Sequence, residues 1–145
     1  MRSSTLIAAI LAGAAIAATP LLARETGGRP FTVALEGAQE VPGPGDPDGT
    51  GTATIRINPG QGQLCYSLRV SGIEPATAAH VHEAPAGTAG PVVVGLQAPT
   101  GRSSNGCVNI GRVLAKEILA DPSEYYVNVH NTPYPAGALR GQLSR

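Results

Sequence analysis

The chain has 145 residues, with ten basic and ten acidic side chains and a formal net charge of +0. No basic stripe is present, which argues against nucleic-acid binding and against a polybasic membrane-binding surface. Nineteen glycines and thirteen prolines fall between short apolar runs, a pattern typical of many short strands joined by turns.

The beginning of the chain predicts a signal peptide over residues 1–23. Arg2 supplies a positive charge, and residues 6–18 form an apolar run that is too short for a transmembrane helix of about 20 residues. We therefore expect residues 24–30 to form a short linker and residues 31–145 to form one exported domain. On this interpretation the mature chain has no transmembrane segment and is periplasmic or secreted.

Short runs of alternating apolar and polar residues predict β-strands, because side chains two apart on a strand share a face. The clearest alternation covers residues 64–70, and it pairs with residues 52–57 as a predicted hairpin closed by the turn at residues 58–62. Seven or eight such strands predict one antiparallel β-sandwich or barrel. The predicted strands are residues 31–36, 52–57, 64–70, 79–82, 91–96, a short one around 108–110, 125–130 and 138–143.

Two segments depart from this alternation. Residues 91–96 are continuously apolar, which predicts a strand covered on both faces. Residues 113–120 form the one predicted helix, with Leu114 and Ile118 one turn apart and Pro122 beyond its end. The apolar residues that alternate along each strand share one face, and this face predicts the core. The predicted core consists of Val33, Leu35, Ile55, Ile57, Leu64, Leu68, Val81, Val108, Val127 and Val129.

The two cysteines, Cys65 and Cys107, predict a disulfide. An exported chain with two cysteines most simply pairs them. Both cysteines are predicted to point outward from their strands, because the neighbouring residues Leu64 and Val108 are predicted to point inward. Because both side chains point outward, the two thiols can meet on one surface of a sheet.

The chain has only three histidines, His80, His82 and His130, and they lie in two alternating runs. His80 and His82 share one face of their strand, and His130 shares a face with Tyr126 and Asn128. If the two strands are neighbours, three imidazoles meet on one patch, a donor set that suits Cu(II) or Zn(II) better than Mg²⁺ or Ca²⁺. The alternative is a structural role, in which each ring is satisfied by hydrogen bonds to nearby side chains or carbonyls.

No nucleophilic motif such as G-x-S-x-G is present, and the glycine-rich loops lack the helix and lysine of a phosphate-binding loop. Acidic residues are scattered and lie mostly in predicted loops, so a pair of catalytic carboxylates is not indicated. The residues themselves therefore favour a protein without catalytic activity.

Five stretches of the sequence resemble the CHRD domain, which is named after its repeats in chordin, and the resemblance extends over residues 31–143. It implies an extracellular or periplasmic protein with an immunoglobulin-like β-barrel, faintly similar to copper–zinc superoxide dismutases, and it implies no particular activity. The matching stretches are residues 35–42 (Leu-Glu-Gly-Ala-Gln-Glu-Val-Pro), 51–54, 79–82 with 90–93, 125–130 and 134–143.

The faint similarity to dismutases implies copper ligands at the positions of His80, His82 and His130. It also matches Arg140, by its order in the chain, to the arginine that guides the anion in that fold. However, the chain has no fourth histidine to bridge to zinc, and residues 84–90 contain no histidine or aspartate. We therefore do not expect dismutase activity. We expect Arg140 to lie near the histidines, as an anion-binding or network residue.

Two classes of function follow from these observations. The first, which the sequence favours, is an exported binding or structural module that meets a protein or an envelope component. The second is a periplasmic copper- or zinc-binding protein that uses the three histidines without turnover.

Overall fold

The computed structural model describes residues 30–145. The predicted signal peptide (residues 1–23) and residues 24–29 of the predicted linker lie outside the described residues. Between residues 30 and 145, no helix is both long enough and apolar enough to cross a membrane.

Eight antiparallel strands of this described part of the chain form one sheet in the order β5-β4-β7-β8-β1-β2-β3-β6, and the sheet curls into a nearly closed barrel. This confirms the predicted antiparallel sandwich or barrel with one short helix. The elements are β1 (Phe31–Glu36), β2 (Thr50–Asn58), β3 (Gln63–Ser71), β4 (Ala76–Glu83), β5 (Val92–Leu96), β6 (Ser103–Asn109), α1 (Arg112–Ala120), β7 (Tyr125–Asn131) and β8 (Leu139–Gln142), with short 3-10 turns at Gly37–Gln39 and Pro122–Glu124.

The predicted hairpin is confirmed as β2 and β3. Ile57 lies opposite Leu64 and Ile55 lies opposite Tyr66, so the apolar residues of both strands face the same side. The Asn58 side chain accepts a hydrogen bond from the Gln61 amide (3.1 Å), which closes the turn between the strands.

The interior of the barrel contains the residues that alternation predicted. Every predicted core residue except Val108 is buried. Val108 is half-buried and packs against the core from β6. Because β6 is a terminal strand of the sheet, its inward face is covered less completely than that of a central strand. The prediction was therefore wrong in placing Val108 fully inside.

The two terminal strands, β5 and β6, approach each other where the barrel closes. The Ser104 hydroxyl of β6 donates to the carbonyl of Gln97, just after β5 (2.7 Å), and the Gln97 amide donates to the Tyr66 hydroxyl (2.9 Å). The prediction that residues 91–96 are covered on both faces was wrong, since Val92 is 52% exposed. Among the described strands β5 pairs only with β4, and a continuous apolar run does not reveal whether a strand is central or terminal.

The predicted disulfide between Cys65 and Cys107 is confirmed. The two residues lie directly opposite each other in the pairing of β3 with β6, and neither is buried in the core. The bond can form because both side chains point outward from adjacent strands. The disulfide therefore attaches β6 to the one strand that pairs with it within residues 30–145.

The helix α1 begins one residue earlier than predicted. Ala115 and Ile118 are buried against the barrel, whereas Val113 is 72% exposed. The helix ends at Ala120. The amide of the next residue, Asp121, still donates to the Glu117 carbonyl, and Pro122 follows. Proline at this position prevents continuation of the helix.

Truncating one central valine tests this packing. Val127 of β7 is 0% exposed, and we expect Val127→Ala to lower the free energy of unfolding by about 2 kcal/mol, because two buried methyl groups are lost. Val92→Ala is the matched control, since it makes the same change on an exposed side chain and is expected to cost about 0.5 kcal/mol or less. Urea denaturation measures both, and equal losses would contradict the described core.

Candidate metal centre

The outward face of β4, β7 and β8 carries a group of polar side chains in cross-strand register. His82 lies opposite Tyr126, and His80 lies opposite Asn128, in the pairing of β4 with β7. His130 follows two residues after Asn128, so it shares the same face of β7. The neighbouring strand β8 adds Arg140 opposite Asn128.

The structure brings His80, His82 and His130 together as one histidine cluster. One ligand nitrogen from each ring lies within 4.8 Å of the others. Nδ1 of His80 and Nε2 of His130 are 3.2 Å apart. The ring centroid of His80 lies 5.6 Å from that of His82 and 5.0 Å from that of His130.

A backbone carbonyl determines the tautomer of His82. Nδ1 of His82 lies 2.9 Å from the carbonyl oxygen of Gly90, and a carbonyl oxygen can only accept, so Nδ1 must carry the proton. In the neutral ring the other nitrogen, Nε2, therefore presents a lone pair. This atom is buried and has no hydrogen-bond partner within the described part of the chain.

The same arrangement recurs at His130. Its Nδ1 donates to the carbonyl of Pro135 (3.1 Å), which leaves a lone pair on Nε2. His80 then donates its own Nδ1–H to that lone pair. His82 and His130 thus both have Nδ1 held by a backbone carbonyl, and Nε2 of His130 faces His80, whereas Nε2 of His82 is buried without a partner among the described residues.

The pKa values of two of these histidines are lowered. Burial lowers the pKa of His80, and the neighbouring His130 and His82 lower it further. Burial is also the main cause of the lowered pKa of His130, although its bond to Pro135 acts in the opposite direction. Because a histidine binds metal through its neutral form, a lowered pKa extends the pH range in which these rings are ready to act as ligands.

Residues 84–91, which we call the cover loop, lie between β4 and β5 and shield one side of the cluster. The Gly90 amide donates to the Tyr126 hydroxyl (3.1 Å), while the Gly90 carbonyl holds His82. The Tyr126 ring stacks on the His82 ring, with centroids 4.8 Å apart and planes 11° apart. A side chain at Gly90 would collide with the backbone of Glu83, so glycine permits this close approach.

Arg140 lies in the same patch but does not contact the histidine rings in a hydrogen bond. It is 1% exposed, and its guanidinium donates to the carbonyls of Thr88 (2.8 Å) and Pro85 (3.0 Å) and to the Gln142 side chain (3.2 Å). The guanidinium carbon also lies 3.5 Å from the centroid of the Tyr126 ring. Its contacts in the structure are therefore those of a network residue that holds the cover loop.

Glu40 lies after β1, outside the predicted strands, so alternation did not predict that it is buried. It accepts a hydrogen bond from the Asn128 side chain, which also donates to the Leu139 carbonyl (3.2 Å). Burial raises the pKa of Glu40 to about 7, against the opposing effects of Arg140 and of its hydrogen bonds. A side chain at Gly137, whose φ is 155°, would collide with the Glu40 carboxylate. Glycine at position 137 therefore leaves room for the buried carboxylate.

The donor set of the histidine cluster fits Cu(II) or Zn(II). Metal–nitrogen bonds of about 2.0–2.1 Å place the nitrogens of a tetrahedral site about 3.4 Å apart, close to the 3.2 Å between Nδ1 of His80 and Nε2 of His130. Binding through both atoms would require the proton of His80 to move from Nδ1 to Nε2. The ligand nitrogens of the cluster lie within 4.8 Å of one another, so the longest separation would shorten by about 1.4 Å through rotation of the rings. Neutral imidazoles from a rigid sheet also suit these ions better than Mg²⁺ or Ca²⁺, which prefer oxygen ligands.

Comparison with known proteins agrees with the barrel and its motifs. The family model described as CHRD domain matches residues 31–143, from the first residue of β1 to one residue beyond β8. No curated protein and no solved structure matches the chain. Because the family match includes every strand of the barrel and all three histidines, the chain belongs to the CHRD domain family.

Proposed function

We propose that the domain is an exported binding module whose histidine cluster holds one Cu(II) or Zn(II) ion without catalytic turnover. The observation that carries this proposal is Nε2 of His82, which is buried and has no hydrogen-bond partner among the described residues. A buried acceptor without a partner costs about 1–3 kcal/mol. A metal ion bound to this lone pair would remove that cost.

The hydrogen bonds around the cluster support metal binding over a purely structural role. Histidine ligands of metal ions commonly donate their second nitrogen to a carbonyl or carboxylate, which orients the ring and selects its tautomer. His82 and His130 both have this arrangement, through Gly90 and Pro135. Three structural histidines would need a partner for each buried nitrogen, and Nε2 of His82 has none within residues 30–145.

Export is supported by two independent features. Residues 1–23 have the composition of a signal peptide, and Cys65 and Cys107 form a disulfide, which is rare in reducing compartments. We therefore propose that the mature protein works in the periplasm or outside the cell. Its partner there would be a protein or another component of the cell envelope.

Metal titration of the purified mature protein tests the proposal. We expect one Cu(II) or Zn(II) ion per chain, and we expect His82→Ala and His130→Ala each to weaken binding by about 100-fold, because even outer-sphere partners of a ligand are worth roughly 10–100-fold. Isothermal titration with a competing chelator measures the affinity. Electron paramagnetic resonance of the Cu(II) form counts the nitrogen ligands.

The control must be a residue of another type, since all three histidines of the chain lie in the cluster. Asn105→Ala serves this purpose, because Asn105 is exposed on β6, and its binding should equal that of the wild type. Equal and weak binding by the wild type and both histidine variants would reject the metal site. The histidines would then be structural residues of a binding module.

A further inference from the structure

We infer that Arg140 is a positioning residue of the metal centre, which acts on His82 through the cover loop; this inference rests on the proposed metal-binding function. The dismutase similarity suggested an anion-guiding arginine, but the contacts of Arg140 indicate another role. Two nitrogens of its guanidinium donate to Pro85 and Thr88 of the cover loop. The side chain is 1% exposed, so it presents almost no surface to an incoming anion.

The cover loop connects Arg140 to the His82 ligand in two steps. Arg140 holds the beginning and the middle of the loop, and the loop then presents both polar groups of Gly90. The Gly90 carbonyl accepts the proton of His82 Nδ1 (2.9 Å), and the Gly90 amide donates to the Tyr126 hydroxyl (3.1 Å). The position of the Gly90 carbonyl therefore decides which nitrogen of His82 carries the proton and which one is free to bind metal.

Tyr126, on β7, is a second link between Arg140 and His82. Its ring stacks on His82 and lies against the Arg140 guanidinium. Because β4 and β8 flank β7 on opposite sides, the histidine and the arginine approach the tyrosine ring from opposite sides. The ring thus separates the positive guanidinium from His82, which limits its repulsion of a bound cation while the guanidinium still holds the loop.

Two roles of Arg140 predict opposite results for its substitution. If Arg140 acts only as a positive charge near the site, Arg140→Met should tighten metal binding, and Arg140→Lys should leave it unchanged. If Arg140 positions the loop, both variants should weaken binding, because lysine keeps the charge but cannot donate to two carbonyls with the same planar geometry. We expect both variants to lose about 10–100-fold in Cu(II) affinity.

A second readout uses the protein without metal. In the wild type, the ¹⁵N chemical shifts of His82 should report a proton on Nδ1 and none on Nε2, as the bond to Gly90 requires. In Arg140→Lys and Arg140→Met we expect a mixture of the two tautomers, since the Gly90 carbonyl is no longer held in place. A purely structural contribution of Arg140 would lower the melting temperature and leave this tautomer unchanged.

The design includes a matched control and a milder variant. Arg69→Met makes the same substitution at an exposed arginine of β3 and should change neither readout. Tyr126→Phe keeps the stacked ring and removes only the acceptor of the Gly90 amide, so it should fold and lose about 10-fold in Cu(II) affinity. If Arg140→Met does not fold, Arg140→Lys tests whether Arg140 positions the cover loop. Tyr126→Phe then tests whether the position of Gly90 affects metal binding.

The outcomes separate this inference from the proposed function. Unchanged or tighter Cu(II) binding by the folded Arg140 variants, with the wild-type tautomer at His82, would overturn the positioning role and leave the metal site intact. Absence of binding by the wild type would instead overturn the metal site. The tautomer measurement would still show whether Arg140 controls His82 through the cover loop.

Discussion

Replacing Cys65 and Cys107 together with serine is expected to lower the free energy of unfolding by about 4 kcal/mol. The two cysteines are 42 residues apart in the sequence, so the disulfide closes a long loop and reduces the conformational entropy of the unfolded chain. For a domain of this size, whose total stability is about 5–15 kcal/mol, the loss is a large fraction of the whole. Guanidinium denaturation of the wild type and the double variant measures it.

The location of the disulfide makes the expected result more specific. It joins the terminal strand β6 to β3, so the double variant should lose amide-exchange protection first in residues 103–109. Wild-type protein unfolded in the presence of a reductant should match the double variant, and Ser67→Ala, an outward-facing substitution on β3, should resemble the untreated wild type. A loss below about 1 kcal/mol would show that the unfolded chain gains little freedom without the disulfide.

In the wild type, a Glu40 pKa raised from 4.5 to about 7 is equivalent to a loss of about 3 kcal/mol in the free energy of unfolding as the pH rises. Glu40→Gln is expected to remove this loss. Because the folded protein binds this proton more tightly than the unfolded chain does, the stabilising contribution is present below about pH 4.5. It is lost as the pH rises through 7. Glutamine is neutral at every pH and can still accept the hydrogen bond from Asn128, so the variant should be the more stable protein at pH 8.

The comparison must be made as a difference between variant and wild type, without metal. The lowered pKa values of His80 and His130 act in the opposite sense, since the unfolded histidines take up protons more readily and stability falls as the pH drops below about 6.5. Both proteins share that effect, so it cancels in the difference. Urea denaturation between pH 4 and 8 measures the two curves. Parallel curves would contradict a buried, protonated Glu40, and Glu74→Gln, at an exposed position, is the control.

Local patterns were sufficient to predict seven of the eight strands, the disulfide and the shared faces of the histidines. The exception is β6, which was predicted only around residues 108–110 and extends over Ser103–Asn109. The period of two along a strand depends only on backbone geometry, so the alternation around Leu64 and Leu68 identified an inward face in advance. The same parity assigned Cys65 and Cys107 to the outer surface, and it assigned His80 and His82 to one side of β4. The two histidine strands are indeed neighbours in the sheet, which a period of two allows but does not require.

Only the tertiary structure decided which strands are terminal and which polar groups are covered. Residues 91–96 have the composition of a central strand but end the sheet, because strand order depends on pairings between distant segments and is not encoded in a local apolar run. Glu40, Arg140 and the Gly90 carbonyl became parts of one buried region only when two loops folded over the outer face of β7 and β8. Alternation distinguishes the two faces of a strand. Whether a loop covers the outward face depends on the course of that loop, which no periodic sequence pattern predicts.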